Sequence, residues 1–444
     1  RHTLKCGATA FIAENPEVPT FDLTILVRTG SMYEHVEKAG LADMTGHLMR
    51  NGGVEGMTAK ELDQQLANLA GEITVNIDGS RGRAYLFCLS KDIDEGLALF
   101  KKVLRTPVFD QEAIDRYRTD ILSELEQRNA STAAIERREW QFLMYGEHPC
   151  TIPYRRTEQS VKAIAREDLI DFHKKHFFPK NFVFAVSGDF KTADIVAKLD
   201  NLMDGWPDQN LDLNAISDQI PNPDPGVYMI KKEDVNQSRI RLGHIGVKRD
   251  NPDQYALVIM NDILGGGGFT SRIVRRVRSD EGLAYNAGSA FERPVLYPGT
   301  FRAWFQTKHA TAAFGTDLII KEINRIRTEK CDSEVVDNAK ASFVSNVVNP
   351  FSSRKNIVNT FADDDYTGRA DAYWQDYTKN IEAVTPDDVL AVAKKYLHPD
   401  NLVFLVVGDP EAVKNGSDKH PERFSDFGSI KILPLRDPMT LEIE

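Results

Sequence analysis

Along the first half of the chain the hydrophobic residues switch between two periods. Thr9–Ala13 and Phe21–Val27 carry the close-set apolar residues of strands and predict a two-strand opening. Gly40–Met49, GLADMTGHLM, has a different period: Leu41, Met44 and Leu48 fall on one helical stripe, and Asn51-Gly52-Gly53 ends it. Thr58 with Glu61 three residues later marks a capped start for a helix over Ala59–Leu69. Strands at Glu72–Ile77 and Arg83–Cys88 follow, then a helix around Ile93–Leu104 and a long helical stretch from Gln111 to about Arg128. Beyond a loop near Gly146–Tyr154, the pattern predicts a helix at Arg166–His176 and a strand at Phe182–Ser187.

That last helix, turn and strand recur. Shifted by 220 residues, Ala163–Asp189 and Ala383–Asp409 share eleven identical positions, among them Asp168/Asp388, Lys175/Lys395, Pro179/Pro399, Asn181/Asn401 and Gly188/Gly408. Between the copies, 204–226 is rich in Pro, Asp and Asn and has no period, which reads as a linker. The chain is therefore expected to be two similar α+β halves, 1–203 and 227–444, joined by 204–226.

Composition narrows the function classes. At 444 residues the chain exceeds one ordinary core, and 41% hydrophobic with 27% charged residues is a globular balance. No apolar run approaches the roughly 18 residues of a membrane-spanning helix. A net charge of −11 argues against a nucleic-acid partner, because phosphates call for a basic surface. The four cysteines (Cys6, Cys88, Cys150, Cys331) show no CxxC spacing and suggest neither a sulfur zinc site nor a disulfide framework. The sequence opens at Arg1 without a hydrophobic leader, which fits a processed precursor; a periplasmic setting is the expectation and the cytoplasm the alternative.

The most unusual stretch is Leu264–Tyr285, LGGGGFTSRIVRRVRSDEGLAY. Gly265, Gly266, Gly267 and Gly268 can bring backbone close to a ligand, since glycine lacks Cβ and tolerates positive φ. An arginine-studded helical segment, Ser271–Asp280, follows, then a turn into an expected strand at Leu283-Ala284-Tyr285. Arg278 and Tyr285 would converge across that turn as two donors suited to a peptide carbonyl or an oxyanion. The bland alternative is a flexible capping loop and a solvated arginine face, with some of Arg272, Arg275, Arg276 and Arg278 paired to Asp280 or Glu281. The stretch lacks the GK[ST] ending of a phosphate loop. His173 and His176 resemble a metal pair only at a glance, because the second copy answers with Ala393 and Tyr396; they read as a structural helix end.

Several stretches together carry a resemblance: VRTGSMYE (Val27–Glu34), GLADMTGH, ILGGGGFTSR, RSDEGLAY and HPDNLVFLVVGDP. Over almost its whole length the chain resembles the pitrilysin and mitochondrial processing peptidase family of zinc peptidases, whose inverted motif is H-x-x-E-H. The resemblance implies two homologous domains, each a mostly antiparallel sheet packed with helices, that enclose part of a chamber. In that family two His and a distant Glu bind zinc and the motif Glu activates water. Here the motif positions read Asp43, Met44, Thr45, Gly46 and His47, and Glu124 lies where the distal Glu ligand would be. Gly46 has no group to take a proton from water, so metal-dependent hydrolysis by this half is not expected. Arg278 and Tyr285, spaced R-x6-Y, match the pair that completes the family's active site from the opposite domain. The implied protein is the non-zinc subunit of a heteromeric peptidase: it binds no cofactor itself, pairs with a zinc-holding H-x-x-E-H subunit, and acts on peptides. A purely structural subunit of a larger complex is the alternative.

Overall fold

Phe182–Gly188 is buried at every position, and so is its counterpart in the second copy, Val403–Gly408. A strand buried on both faces needs a layer of helix on each side, and this requirement organises the fold. A computed structural model of the chain describes residues 1–207 and 209–443; Asp208, within the expected linker, lies outside the described residues.

By contacts the residues form two units. One comprises Arg1–Glu126, Ile152–Ala215 and Val347–Tyr373; the other comprises Gln127–Thr151, Ile216–Asn346 and the chain from Trp374 onward. The changeover between Ala215 and Ile216 falls inside 204–226, whose described residues before Gly226 form neither helix nor strand. Two segments depart from the linear division at that linker. Gln127–Thr151 joins the second unit and Val347–Tyr373 joins the first.

The first unit is built on strands β1 (His2–Thr3), β2 (Thr9–Glu14), β3 (Thr20–Val27), β4 (Glu72–Ile77), β5 (Gly82–Leu89) and β6 (Phe182–Gly188), in the order β1-β2-β6-β3-β5-β4. Only the β2–β6 pair is parallel. The second unit has β7 (Gly226–Lys231), β8 (Gln237–Ile245), β9 (Ala287–Phe291), β10 (Thr300–Lys308), β11 (Val403–Gly408) and β12 (Ile430–Leu433), in the order β12-β7-β11-β8-β10-β9. Five strands repeat in the same order. The sixth edge is filled differently, by the antiparallel β1 in the first sheet and by the parallel β12 in the second. Both are open six-stranded mixed sheets with many helices, an α+β fold.

The second helical layer comes from the segments that depart from the linear order. In the first unit the helix Arg354–Thr367 packs on β2, β3 and β6. Val358 and Ala362 bury themselves against Leu26, Val183 and Ala185. The polar side of that helix is tied down as well: Asp363 pairs with Arg81, Asp364 with Arg369 and Asp365 with Arg1. Lys355 Nζ reaches Asp22 at 2.6 Å and the Tyr85 hydroxyl at 2.9 Å. In the second unit the helix Thr132–Tyr145, which the sequence pattern missed, packs on β8 and β11. Its apolar period is masked by Glu136, Arg138 and Glu139, all buried. Glu136 accepts from Arg239 Nε (2.8 Å) and Arg241 Nε (2.6 Å), while Arg241 lies over the fully buried Trp140 ring.

Removing one member of such a buried pair leaves its partner charges desolvated and unpaired. Glu136→Ala is therefore expected to lower unfolding stability by about 3–5 kcal/mol. Chemical denaturation followed by tryptophan fluorescence reads this; a loss below about 1 kcal/mol, the range of an exposed pair, would show that the two arginines do not depend on Glu136.

Candidate functional site

Each unit carries one of the two candidate sites. In the first unit, Asp43, Gly46 and His47 all lie on the helix Leu41–Asn51, which rests on β4. Its N-terminal amides point at Glu34, a buried carboxyl that accepts from Gly40 N (3.0 Å) and from Ala42 N. Burial pushes the Glu34 carboxyl up to about 7, against the lowering effect of those two amides and of Arg156. At Gly46 an added Cβ would stand 3.1 Å from both the Ile77 backbone nitrogen and its Cγ1. The missing general base is thus also a point where helix and strand approach closely.

The remaining motif positions are engaged by groups that sequence reasoning did not single out. Asp43 Oδ2 accepts from the Tyr117 hydroxyl at 3.2 Å and pairs with an Arg156 guanidinium nitrogen, also at 3.2 Å. The His47 ring stacks on Tyr117 at 3.7 Å between centres and an angle of 2°. Burial lowers the pKa of His47, and desolvation beside Asp43 raises that of the Tyr117 phenol. Glu124 is exposed, two turns beyond Tyr117 on the helix Gln111–Gln127. That spacing of seven was the available signal for Tyr117, since it sets both residues on one helical face.

A zinc ion requires converging donors at about 2.0–2.3 Å. Asp43 is already held by a cation and a phenol, a parallel ring covers His47, and Glu124 faces solvent. Among the described residues no three His, Cys, Asp or Glu side chains gather as a metal site. These residues do not fit the metal. His173 and His176 likewise form the buried end of a helix: His173 Nε2 bonds Leu104 O at 2.8 Å, and burial holds both imidazoles down at about 4. All four cysteines are free thiols, with Cys88 fully buried in β5.

The second unit's site is built from two widened π-type turns, a backbone form that recurs at functional sites. The first, Asp262–Gly266, runs into the glycine run. Its glycines divide by role. An added Cβ at Gly265 would meet Ser289 N at 2.5 Å, at Gly266 the Asn261 amide at 2.6 Å, and at Gly267 Asp262 Oδ2 at 2.7 Å. These three are close-packed against their own neighbours. Gly268 instead has open space around it and φ +62°, a turn that glycine makes without strain. It is followed by Phe269, which is 66% exposed.

The second π-type turn, Arg275–Asp280, carries Arg278. The strand expected at Leu283–Tyr285 does not form there; it starts at Ala287. Leu283 is used to close the preceding helix, with its N–H donating to Val277 O (2.9 Å) and its carbonyl accepting from Thr307 Oγ1 (2.9 Å). Tyr285 consequently sits on a bend, 85% exposed. Arg276 takes the neighbouring acids, 3.7 Å from Asp280 and 3.5 Å from Glu281. Arg278 does not pair with them. Its guanidinium carbon lies 4.6 Å from the centre of the Tyr285 ring and 4.4 Å from that of Phe269. Among the described residues, neither the Arg278 guanidinium nor the Tyr285 hydroxyl has a hydrogen-bond or ion-pair partner. The structure therefore brings Arg278 and Tyr285 together and leaves their donors available.

Residues 9–152 match the family model described as Insulinase (Peptidase family M16), and residues 163–343 match Peptidase M16 inactive domain. The chain belongs to peptidase family M16. It is 23% identical over 344 residues to an uncharacterized zinc protease of Rickettsia bellii, covering 78% of this chain and 82% of that one. It is 22% identical over 406 residues to the non-peptidase homolog YmxG of Helicobacter pylori, covering 90% and 92%. A crystal structure of a peptidase M16 inactive domain from Pseudomonas fluorescens superposes with a TM-score of 0.83 at 24% identity, over 92% of this chain and 97% of that one. These matches place both halves of the chain in family M16 and show its fold. Among the described residues no helix is long and apolar enough to cross a membrane.

One solution property follows from Glu34. Its proton is held more tightly in the folded chain than in the unfolded one, where glutamate titrates near 4.5. The stability this confers is present in full below about 4.5 and is lost as pH rises through about 7, by at most about 3 kcal/mol. Thermal midpoints from pH 4.5 to 7.5 should fall more steeply in the wild type than in Glu34→Gln; parallel curves would remove the assignment.

Proposed function

We propose that this chain is the non-zinc subunit of a heteromeric M16 peptidase and that Arg278 and Tyr285 serve the active site of a homologous H-x-x-E-H partner. The observation that carries the reading is the pairing of one intact half-site with one blocked half-site. Arg278 and Tyr285 sit side by side with their donors unpartnered, while Asp43 and His47 are occupied by Arg156 and Tyr117.

The chemistry assigned to the pair is electrophilic. In peptide hydrolysis, negative charge builds on the carbonyl oxygen as the tetrahedral intermediate forms. The Arg278 guanidinium supplies a permanent charge and several N–H donors; the Tyr285 hydroxyl supplies a neutral donor. Both stabilise the transition state more than the ground state if they lie where the oxyanion develops. Neither residue generates a nucleophile. The attacking water would have to come from the zinc-holding partner, where a bound zinc would lower its pKa. The glycine run Gly265–Gly268 borders the substrate path in this reading. Extended peptides would be held by adding to an open sheet edge; in the second unit that edge is β9, which directly follows the bend at Tyr285.

Peptidase assays and metal analysis on the chain alone, and then mixed with an H-x-x-E-H family member from the same genome, test the assignment. The expected result is no stoichiometric zinc and no cleavage alone, with cleavage on mixing. Cleavage by the isolated chain that disappears in His47→Ala would overturn it. In the assembled enzyme, Arg278→Ala should lower kcat/KM by roughly ten- to a thousandfold, the range for a lost transition-state donor. An unchanged value with assembly intact would leave a scaffold.

A further inference from the structure

The exposed Phe269 has no place in the reading above, yet its ring is the nearer of the two that hold Arg278, at 4.4 Å. We infer that Phe269 is a positioning residue, presented by the glycine run to clamp the Arg278 guanidinium together with Tyr285. This rests on the proposed role of Arg278.

Three observations lead to it. First, Arg278 lacks an acid partner even though Asp280 and Glu281 are only two and three residues away, because Arg276 takes both. A long side chain without an ion pair would lose considerable rotamer entropy on being fixed in one place. Two aromatic contacts can offset that loss, each contributing modestly at an exposed site. Second, they do so without consuming donors: the guanidinium N–H groups lie in its plane, whereas an aromatic ring is attracted to a cation over its face. An acid partner would occupy those N–H groups, and a ring leaves them for a substrate oxygen. Third, the loop is fixed where Phe269 leaves it. Ser271 Oγ donates to Gly268 O at 2.7 Å and Thr270 Oγ1 donates to Gly267 O at 3.0 Å, while Gly265–Gly267 are packed against Ser289, Asn261 and Asp262. The run of glycines thus does more than allow a ligand to approach. It is an anchored base that ends in a left-handed turn at Gly268 and holds a 66%-exposed phenylalanine over an arginine.

The substitutions are benign to the fold, since Phe269 is exposed and absent from the buried core of its unit. In the assembled enzyme, Phe269→Ala and Phe269→Leu should each lower kcat/KM by roughly three- to tenfold, acting on kcat more than KM, and Phe269→Tyr should restore it. The discriminating measurement is a double-mutant cycle: in an Arg278→Ala background, Phe269→Ala should have no further effect. If Arg278→Ala is damaging while Phe269→Leu matches the wild type, or if the two losses simply multiply, the clamp is wrong and the role of Arg278 survives. If Arg278→Ala is itself silent, both fall together. The isolated chain gives an independent test by NMR. The Arg278 Nε–H resonance should be shifted upfield by ring currents and should relax toward the ordinary arginine position in Phe269→Leu. A wild-type resonance already at that position overturns the clamp.

Discussion

The fold depends on one constraint: the central strands of both sheets are buried on both faces, so each sheet needs two layers of helix. The pattern of Phe182–Gly188 and Val403–Gly408, apolar or small throughout, cannot be satisfied by a sheet with one wet face. In the first unit the second layer is a helix from the later half of the chain, Arg354–Thr367; in the second it is a helix from the earlier half, Thr132–Tyr145. Each is fixed by buried or half-buried charge as well as apolar contact. The duplication therefore holds for five of the six strands in order, while the contact units are interleaved along the chain.

The same economy explains how a catalytic motif can be lost without loss of the fold. The helix Leu41–Asn51 keeps its apolar contacts and its cap at Glu34, and Gly46 lets it lie closer to β4 than a side chain would allow. Two residues of the unit, Tyr117 and Arg156, engage Asp43, and the Tyr117 ring also stacks on His47, whose polar neighbour is the Asn51 amide. A motif carboxylate that would otherwise sit half-buried and unpaired acquires a guanidinium partner. The second unit shows the reverse arrangement: Arg278 and Tyr285 keep their donors unpaired, supported by π-contacts instead of ion pairs. Within a single chain, one half-site has been satisfied internally and the other has not. In the function proposed above, that asymmetry is what distinguishes this chain from one that hydrolyses on its own.

How much of this was legible in the sequence varied with the range of the interaction. Capping is local, and the Thr58–Glu61 box is present as the spacing predicts. Most helices and strands of the first half lie within a residue or two of their predicted ends. The helix Thr132–Tyr145 was missed because its inward face carries Glu136, Arg138 and Glu139, which look like a solvated face until the arginines of β8 and the C-terminal segment are brought to them. Leu283–Tyr285 looked like a strand because its residues suit one, but Leu283 is claimed by the turn at Gly282 and by Thr307.

The sequence by itself determined the duplication, the α+β class, the family, the absence of a general base at Gly46 and the identity of the Arg278–Tyr285 pair. Each of these is written in residue type and local spacing, or in stretches that can be compared or matched to a known pattern without the fold. Only the tertiary structure decided which half each long helix covers, that Tyr117 and Arg156 engage Asp43 while Tyr117 stacks on His47, and that Phe269 joins Tyr285 at Arg278. Those depend on side chains tens to hundreds of residues apart, or on the sense of a turn at one glycine. Hydrophobic period and local propensity carry no information about which distant partner will meet a buried charge or an exposed ring.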